Sequence, residues 1–178
     1  MDTMWKYSFP GSDADFRDVV CAVQSISMYN SDYNIDATQF LNNSFKIKVP
    51  TARTTSTVSV SLPEGLYSYS KINRSIQTAL VNAGAYLINP SGENVFYIQL
   101  TENSVYYAAQ FDFSSTPTGG TWTRPASGLF SSGGTGLPAI RGTPVPRLII
   151  DNAAFGKVVG LTAGTYPSAL QQFHVLGY

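Results

Sequence analysis

Apolar and polar positions along the chain recur with two different periods, and each period predicts an element. Phe45-Lys46-Ile47-Lys48-Val49 alternates strictly until Pro50. Val58, Val60 and Leu62 alternate with Ser59 and Ser61 until Pro63-Glu64-Gly65, a turn tripeptide. Period two places every second side chain on one face, so both segments are expected as strands. Upstream, Val20, Ala22, Ile26 and Met28 share one face of residues 19–29, interrupted by Gln24, which predicts another strand. The polar stretch 32–43 reads as a loop. From Ser70 the period changes. Ile72, Ile76, Ala79, Leu80 and Ala83 recur at helical spacing, with Arg74 and Gln77 opposite. Ser68 or Ser70 can cap the start, and Gly84 stands where a left-handed residue ends a helix. One helix of about three turns is expected around residues 70–82.

Strands are expected again at 85–88, 95–101 and 105–113. Pro90-Ser91-Gly92 and Glu102-Asn103-Ser104 are short enough to be hairpin connections. Gly, Ser, Thr and Pro dominate residues 114–143, about twice the length at which a structureless loop becomes uncommon. Trp122, Leu129, Phe130, Leu137 and Ile140 punctuate that stretch, which suits a segment that packs against something. Leu148-Ile149-Ile150 reads as a short buried strand and 153–159 as a helical turn. Gly160, Gly164 and Pro167 mark a corner, and Phe173, Val175 and Tyr178 suggest a closing strand. No internal repeat or composition shift divides the chain. The expectation is one all-β domain over residues 1–178, a jelly-roll-like β-sandwich of about eight strands with one amphipathic helix and a long loop at 114–143.

Composition sharpens this picture. Hydrophobic residues make up 43 % of the 178 and aromatics 13 %, while charged residues supply only 12 %, against roughly 25 % in an ordinary soluble domain. Ser, Thr, Asn, Gln and Gly carry the polarity, and neutral polar groups lose less than charges on leaving water. Enriched aromatics and depleted Lys and Glu are also the bias of interface cores. Eleven basic residues balance eleven acidic ones without clustering, which argues against binding nucleic acid through its phosphates. Residues 1–10 hold Trp5, Tyr7 and Phe9 but no continuous apolar run, so they do not read as a signal peptide. No stretch is apolar enough for a membrane span. A single cysteine, Cys21, cannot form an internal disulfide, which fits synthesis in a reducing compartment.

The chemistry-bearing residues form no familiar constellation. The single histidine, His174, lies between Phe173 and Val175 with no nucleophile or carboxylate nearby in sequence, and is expected at a strand edge or interface. Cys21 behaves most simply as a small buried hydrophobe. Asp13 with Asp15, or Asp32 with Asp36, could offer oxygens to calcium, but loop carboxylates are more often turn residues. The usual zinc set is lacking, and the glycines at 119, 120, 133, 134 and 136 have no terminal Lys-Ser/Thr for a phosphate loop. Asn42-Asn43-Ser44 and Asn73-Arg74-Ser75 match the glycosylation sequon. Trp122 and the Tyr106-Tyr107 pair are candidates for stacking on sugars, although strand alternation would turn one of the two tyrosines into the core. Neither a catalytic residue, a cofactor nor a metal is expected.

Several short phrases together resemble a known group. They are Ala22-Val23-Gln24-Ser25-Ile26-Ser27-Met28-Tyr29-Asn30-Ser31, Asn34-Ile35, Asn42-Asn43-Ser44-Phe45, and Ser61-Leu62-Pro63-Glu64-Gly65-Leu66-Tyr67-Ser68 leading into Ile72-Asn73. Late in the chain come Phe155-Gly156-Lys157-Val158-Val159-Gly160-Leu161 and Gly164-Thr165-Tyr166-Pro167. This layout resembles the minor capsid and penton-like virion proteins of polinton-like viruses, virophages and large algal DNA viruses, commonly of single jelly-roll type. The resemblance implies a structural virion subunit, made in the host cytoplasm or nucleus. It would assemble with itself, as a homopentamer if it is the vertex unit, or would cement the major capsomers, and it would contact the major and other minor capsid proteins. Within the phrases, Asn73 and Gln77 lie one helical turn apart and are expected to hydrogen-bond outward. Trp5, Tyr7, Phe9, Trp122 and Phe130 are the expected assembly contacts. A carbohydrate-binding attachment sandwich is the alternative.

Overall fold

The computed structural model describes residues 33–50, 55–114, 123, 125–126, 145–168 and 174–177. The chain divides into two compact units, Met1–Ser31 and Asp32–Tyr178, and every described residue belongs to the second. The strand expected at 19–29 and nearly all of the 114–143 loop therefore lie outside the described residues, as does part of the single domain expected over 1–178.

The period-two segments form β1 (Ser44–Pro50) and β2 (Thr55–Ser61), antiparallel in unbroken register from Ser44↔Ser61 to Pro50↔Thr55. Phe45, Ile47 and Val49 are buried with Val58 and Val60, and the alternate Ser and Thr side chains of β2 are left outside. Then follow α1 (Tyr69–Asn82), β3 (Leu87–Ile88), β4 (Asn94–Val95), β5 (Ile98–Asn103), β6 (Ala108–Phe113), β7 (Arg147–Ile150), α2 (Ala153–Val159), β8 (Gly164–Tyr166) and β9 (His174–Gly177). Among the described residues these strands make three antiparallel sheets, ordered β2-β1-β7-β8, β3-β4 and β5-β6-β9. The architecture is predominantly β, with two helices and no closed barrel among the described residues.

One apolar core joins the larger sheets. Phe45 and Ile47 of β1, Leu100 of β5, Phe111 and Phe113 of β6, and Leu148 and Ile150 of β7 all belong to it. The helix α1 contributes Ile72, Ile76 and Leu80, the stripe its 3.6-residue period predicts. Ser68 caps α1 by accepting from the Lys71 amide, and Gly84 follows the helix at φ +64°. Asn73 turns inward, against the expectation that it would bond outward. Its Oδ1 accepts the Leu100 amide at 2.9 Å, so the helix satisfies a backbone donor on the outer edge of β5.

Two strand expectations shift. The run at 95–101 breaks into β4 and β5, because Phe96 and Tyr97 carry the chain from one sheet to another. The strand expected at 105–113 starts only at Ala108, since Asn103↔Ala108 closes the β5–β6 hairpin and Ser104 to Tyr107 form its turn.

The short helix α2 is held by close backbone contacts at both of its sides. Asn152 caps it by accepting from the Ala154 and Phe155 amides, and Gly160 ends it at φ +68°. Phe155 stacks on Phe45 with ring centroids 4.3 Å apart. A β-carbon on Gly156 would strike the Leu161 carbonyl oxygen, and one on Gly177 would strike the Val159 carbonyl oxygen. The helix is thereby clamped to its own exit and to β9 by backbone that only glycine permits.

Candidate interaction surface

The loop before β1 is polar in sequence, yet it displays large apolar side chains on a frame of hydrogen bonds. Asp36 accepts at one oxygen from the Thr38 amide at 2.7 Å and the Gln39 amide at 2.6 Å. These amides hold its carboxyl below the usual carboxylate range. Asn42, only 6 % exposed, accepts from the Asp36 amide and donates to the Asn34 carbonyl, each at 2.8 Å. Asn34 in turn donates to the Tyr67 carbonyl and accepts from its amide, while Ile35 and Gly65 exchange backbone bonds. The frame therefore binds two loops together and leaves Tyr33, Phe40, Leu41 and Leu66 exposed on them. Leu41, 62 % exposed, sits at φ +52°, a conformation that disfavours a side chain with a β-carbon.

The β5–β6 hairpin repeats this pattern with different chemistry. Asn103 Oδ1 accepts from the Val105 and Tyr106 amides, and its Nδ2 donates to Gln110 Oε1 at 2.7 Å. Gln110 passes the network on to Asp112. Val105, Tyr106 and Tyr107 point into solvent, with Tyr107 87 % exposed at φ +49°. Leu41 and Tyr107 are the non-glycine positions with positive φ among the described residues, and both are large, apolar and exposed. Strain of this kind, about 1 kcal/mol or more, persists where the surroundings fix it, and it gathers at functional positions.

The helix α2 links the roots of both tips. At its start, Asn152 Nδ2 donates to the Leu41 carbonyl at 2.7 Å. At its end, the Val159 carbonyl lies against Gly177, which pairs with Ala109 just beyond Tyr107. A cleft of about 310 Å³ is lined by Asn34 and Tyr67 of the first frame, by Ser68, Tyr69, Ile72 and Val158, and by Glu102 before the hairpin turn. It offers aromatic walls and neutral polar groups with one carboxylate. Such a lining suits recognition by contact.

The expected assembly residues Trp5, Tyr7, Phe9, Trp122 and Phe130 lie outside the described residues, as do Cys21, Asp13, Asp15 and Asp32. Asp36 is a turn residue, and no group of three or more His, Cys, Asp or Glu able to hold a metal occurs among the described residues. His174 lies on β9, at one edge of its sheet among the described residues, with Asp112 opposite in register. The sequon residue Asn42 is buried and bonded at both ends of its amide. Tyr106 and Tyr107 overturn the expectation that one faces the core, because alternation governs strands and both stand in a turn. An apolar triplet beginning two residues after Asn103, whose side chain can cap its own turn, was the signal for that display. Phe40-Leu41 carried no such signal.

Elsewhere, burial pushes the Tyr97 hydroxyl up to about 12, which marks it as part of the core. No helix among the described residues is long and apolar enough to cross a membrane. Comparison with family models, curated proteins and solved structures returns no match.

Proposed function

We propose that this chain is a structural virion subunit, a minor capsid or vertex protein of jelly-roll type that assembles with itself and with a major capsid protein. The observation that carries the reading is the pair of apolar tips, each built around a large residue held in left-handed backbone and each fixed by side-chain hydrogen bonds. A side chain already ordered in the free protein loses less entropy on docking than one that must be immobilised. Exposed aromatic and aliphatic anchors on a charge-poor chain are what a permanent interface buries. The sheets β2-β1-β7-β8 and β5-β6-β9, sharing one core, are compatible with the two layers of a jelly roll. The resemblance of its sequence phrases to virion proteins points the same way. In this reading the protein acts by contact, without catalysis or a cofactor, and resides in the capsid.

The test is solution mass. Light scattering after size exclusion at two salt concentrations gives an oligomer that persists in high salt, since apolar contacts are not screened. A monomer at both concentrations, up to the solubility limit, contradicts self-assembly. A second reading, carbohydrate binding, draws on the exposure of Tyr106 and Tyr107 beside Asn103 and Gln110. Glycan-array binding that Tyr107→Ala abolishes, with oligomeric mass unchanged, would favour it.

A further inference from the structure

Among the described residues, the outer edge of β2 has no strand paired to it. The Leu62 amide donates to the Asn43 carbonyl at 2.8 Å, which makes 43 and 62 a hydrogen-bonded pair. Antiparallel pairs alternate, so 45 with 60, 47 with 58 and 49 with 56 are hydrogen-bonded in turn. The amides and carbonyls of Thr55, Thr57, Ser59 and Ser61 must then face away from β1, and among the described residues nothing bonds them. Natural edges are blunted by Lys, Pro or a bulge. β2 has none of the three: its sequence is TSTVSVS and its register with β1 is unbroken. The corresponding outer edge of β5 is treated differently, for Asn73 of α1 takes its Leu100 amide.

Beside the open edge, β2 and α1 enclose a groove of about 840 Å³ whose lining includes Thr57, Val60, Ser75, Thr78, Ala79 and Asn82. No lining residue carries a charge. The helix wall is built of small side chains, leaving room for those of another strand. A Lys or Glu entering it would lose hydration and find no counter-charge.

We propose that the β2 edge is a strand-addition site for one extended, uncharged polypeptide segment of a partner chain, with small or β-branched apolar side chains at alternate positions. Main-chain bonds to Thr57 and Ser59 supply affinity, and the neutral groove selects the alternate side chains. This site uses other residues than the two tips, so it stands or falls separately from the assembly reading.

A fluorescein-labelled Thr-Val-Ser-Val-Ser-Val-Thr peptide tests the edge by anisotropy against the intact chain. Two versions N-methylated at alternate residues, one in each phase, accompany it. Saturable binding is expected from the parent peptide, weakened about tenfold or more by methylation in one phase and little changed by the other, because one set of amides faces β2. Ser59→Pro, which removes an outward amide without touching the β1 ladder, is expected to lose binding at an unchanged melting temperature. Ser59→Lys gives the same loss without altering the backbone. Absence of saturable binding up to about 1 mM overturns the proposal. So does an equal effect of both methylation phases. A dimer that Ser59→Lys splits, with no peptide binding, assigns the edge to a second copy and overturns it as well.

Discussion

The loop at 33–42 and the β5–β6 turn present the same kind of surface by opposite means. Both lift apolar side chains into water, and both force a large residue into left-handed backbone. The first loop does so with a carboxylate, a buried amide and a bond from the cap of α2. The second uses the side-chain amides of Asn103 and Gln110 on its own strands, with Asp112 reached only through Gln110. One tip is wired into the core, and the other is a self-contained hairpin end. The difference predicts that the first tip is coupled to global stability and to pH more strongly than the second.

The largest separation should come from the two asparagines. Asn42→Ala leaves the Asp36 amide and the Asn34 carbonyl without their partner in a partly buried site, and about 2–3 kcal/mol of unfolding free energy is expected to go. Asn103→Ala frees amides that water can reach, so about 1 kcal/mol or less is expected. Urea unfolding of both variants checks the order, and equal losses would erase the distinction. A smaller effect measures the strain that the tips share. Leu41→Gly should be more stable than Leu41→Ala, and Tyr107→Gly than Tyr107→Ala, by about 1 kcal/mol each. Alanine equal to glycine at either position would remove strain from the account there.

The smallest effect is the response to acid. The Asp36 carboxyl titrates below its ordinary value because the Gln39 and Thr38 amides stabilise its charged form. Its support for the loop is therefore complete above the unfolded value and is lost as pH falls through the lower, folded one. Amide shifts of Thr38 and Gln39 should move together in that acid range. The amides of Val105 and Tyr106 should move less, since the group they bond, Asn103, does not titrate and Asp112 reaches them only through Gln110. Parallel movement of all four would contradict separate wiring.

How much of this was legible in the sequence follows from the reach of each interaction. β1, β2 and α1 were readable because period, cap and breaker lie within a few residues of one another, as in Ser68, the Ile72-Ile76-Leu80 stripe and Gly84. The β5–β6 register was misplaced because an apolar run, Val105 to Tyr107, looks the same whether a sheet or a turn holds it. Long-range partners left no local trace. Asn152 bonds Leu41 across 111 positions, and Asn73 bonds Leu100 across 27. The 33–42 tip depends on such bonds and was invisible where the strands were plain, whereas the hairpin tip rests on bonds within seven positions of Asn103.

Light scattering on the double variant Leu41→Ser and Tyr107→Ser, at two salt concentrations beside the parent chain, asks whether the two tips hold an assembly together. The parent is expected to form an oligomer that survives high salt, and the variant, with an unchanged circular dichroism spectrum, to fall to a monomer. An oligomer of the same mass in both proteins would show that the tips are not what holds the assembly together.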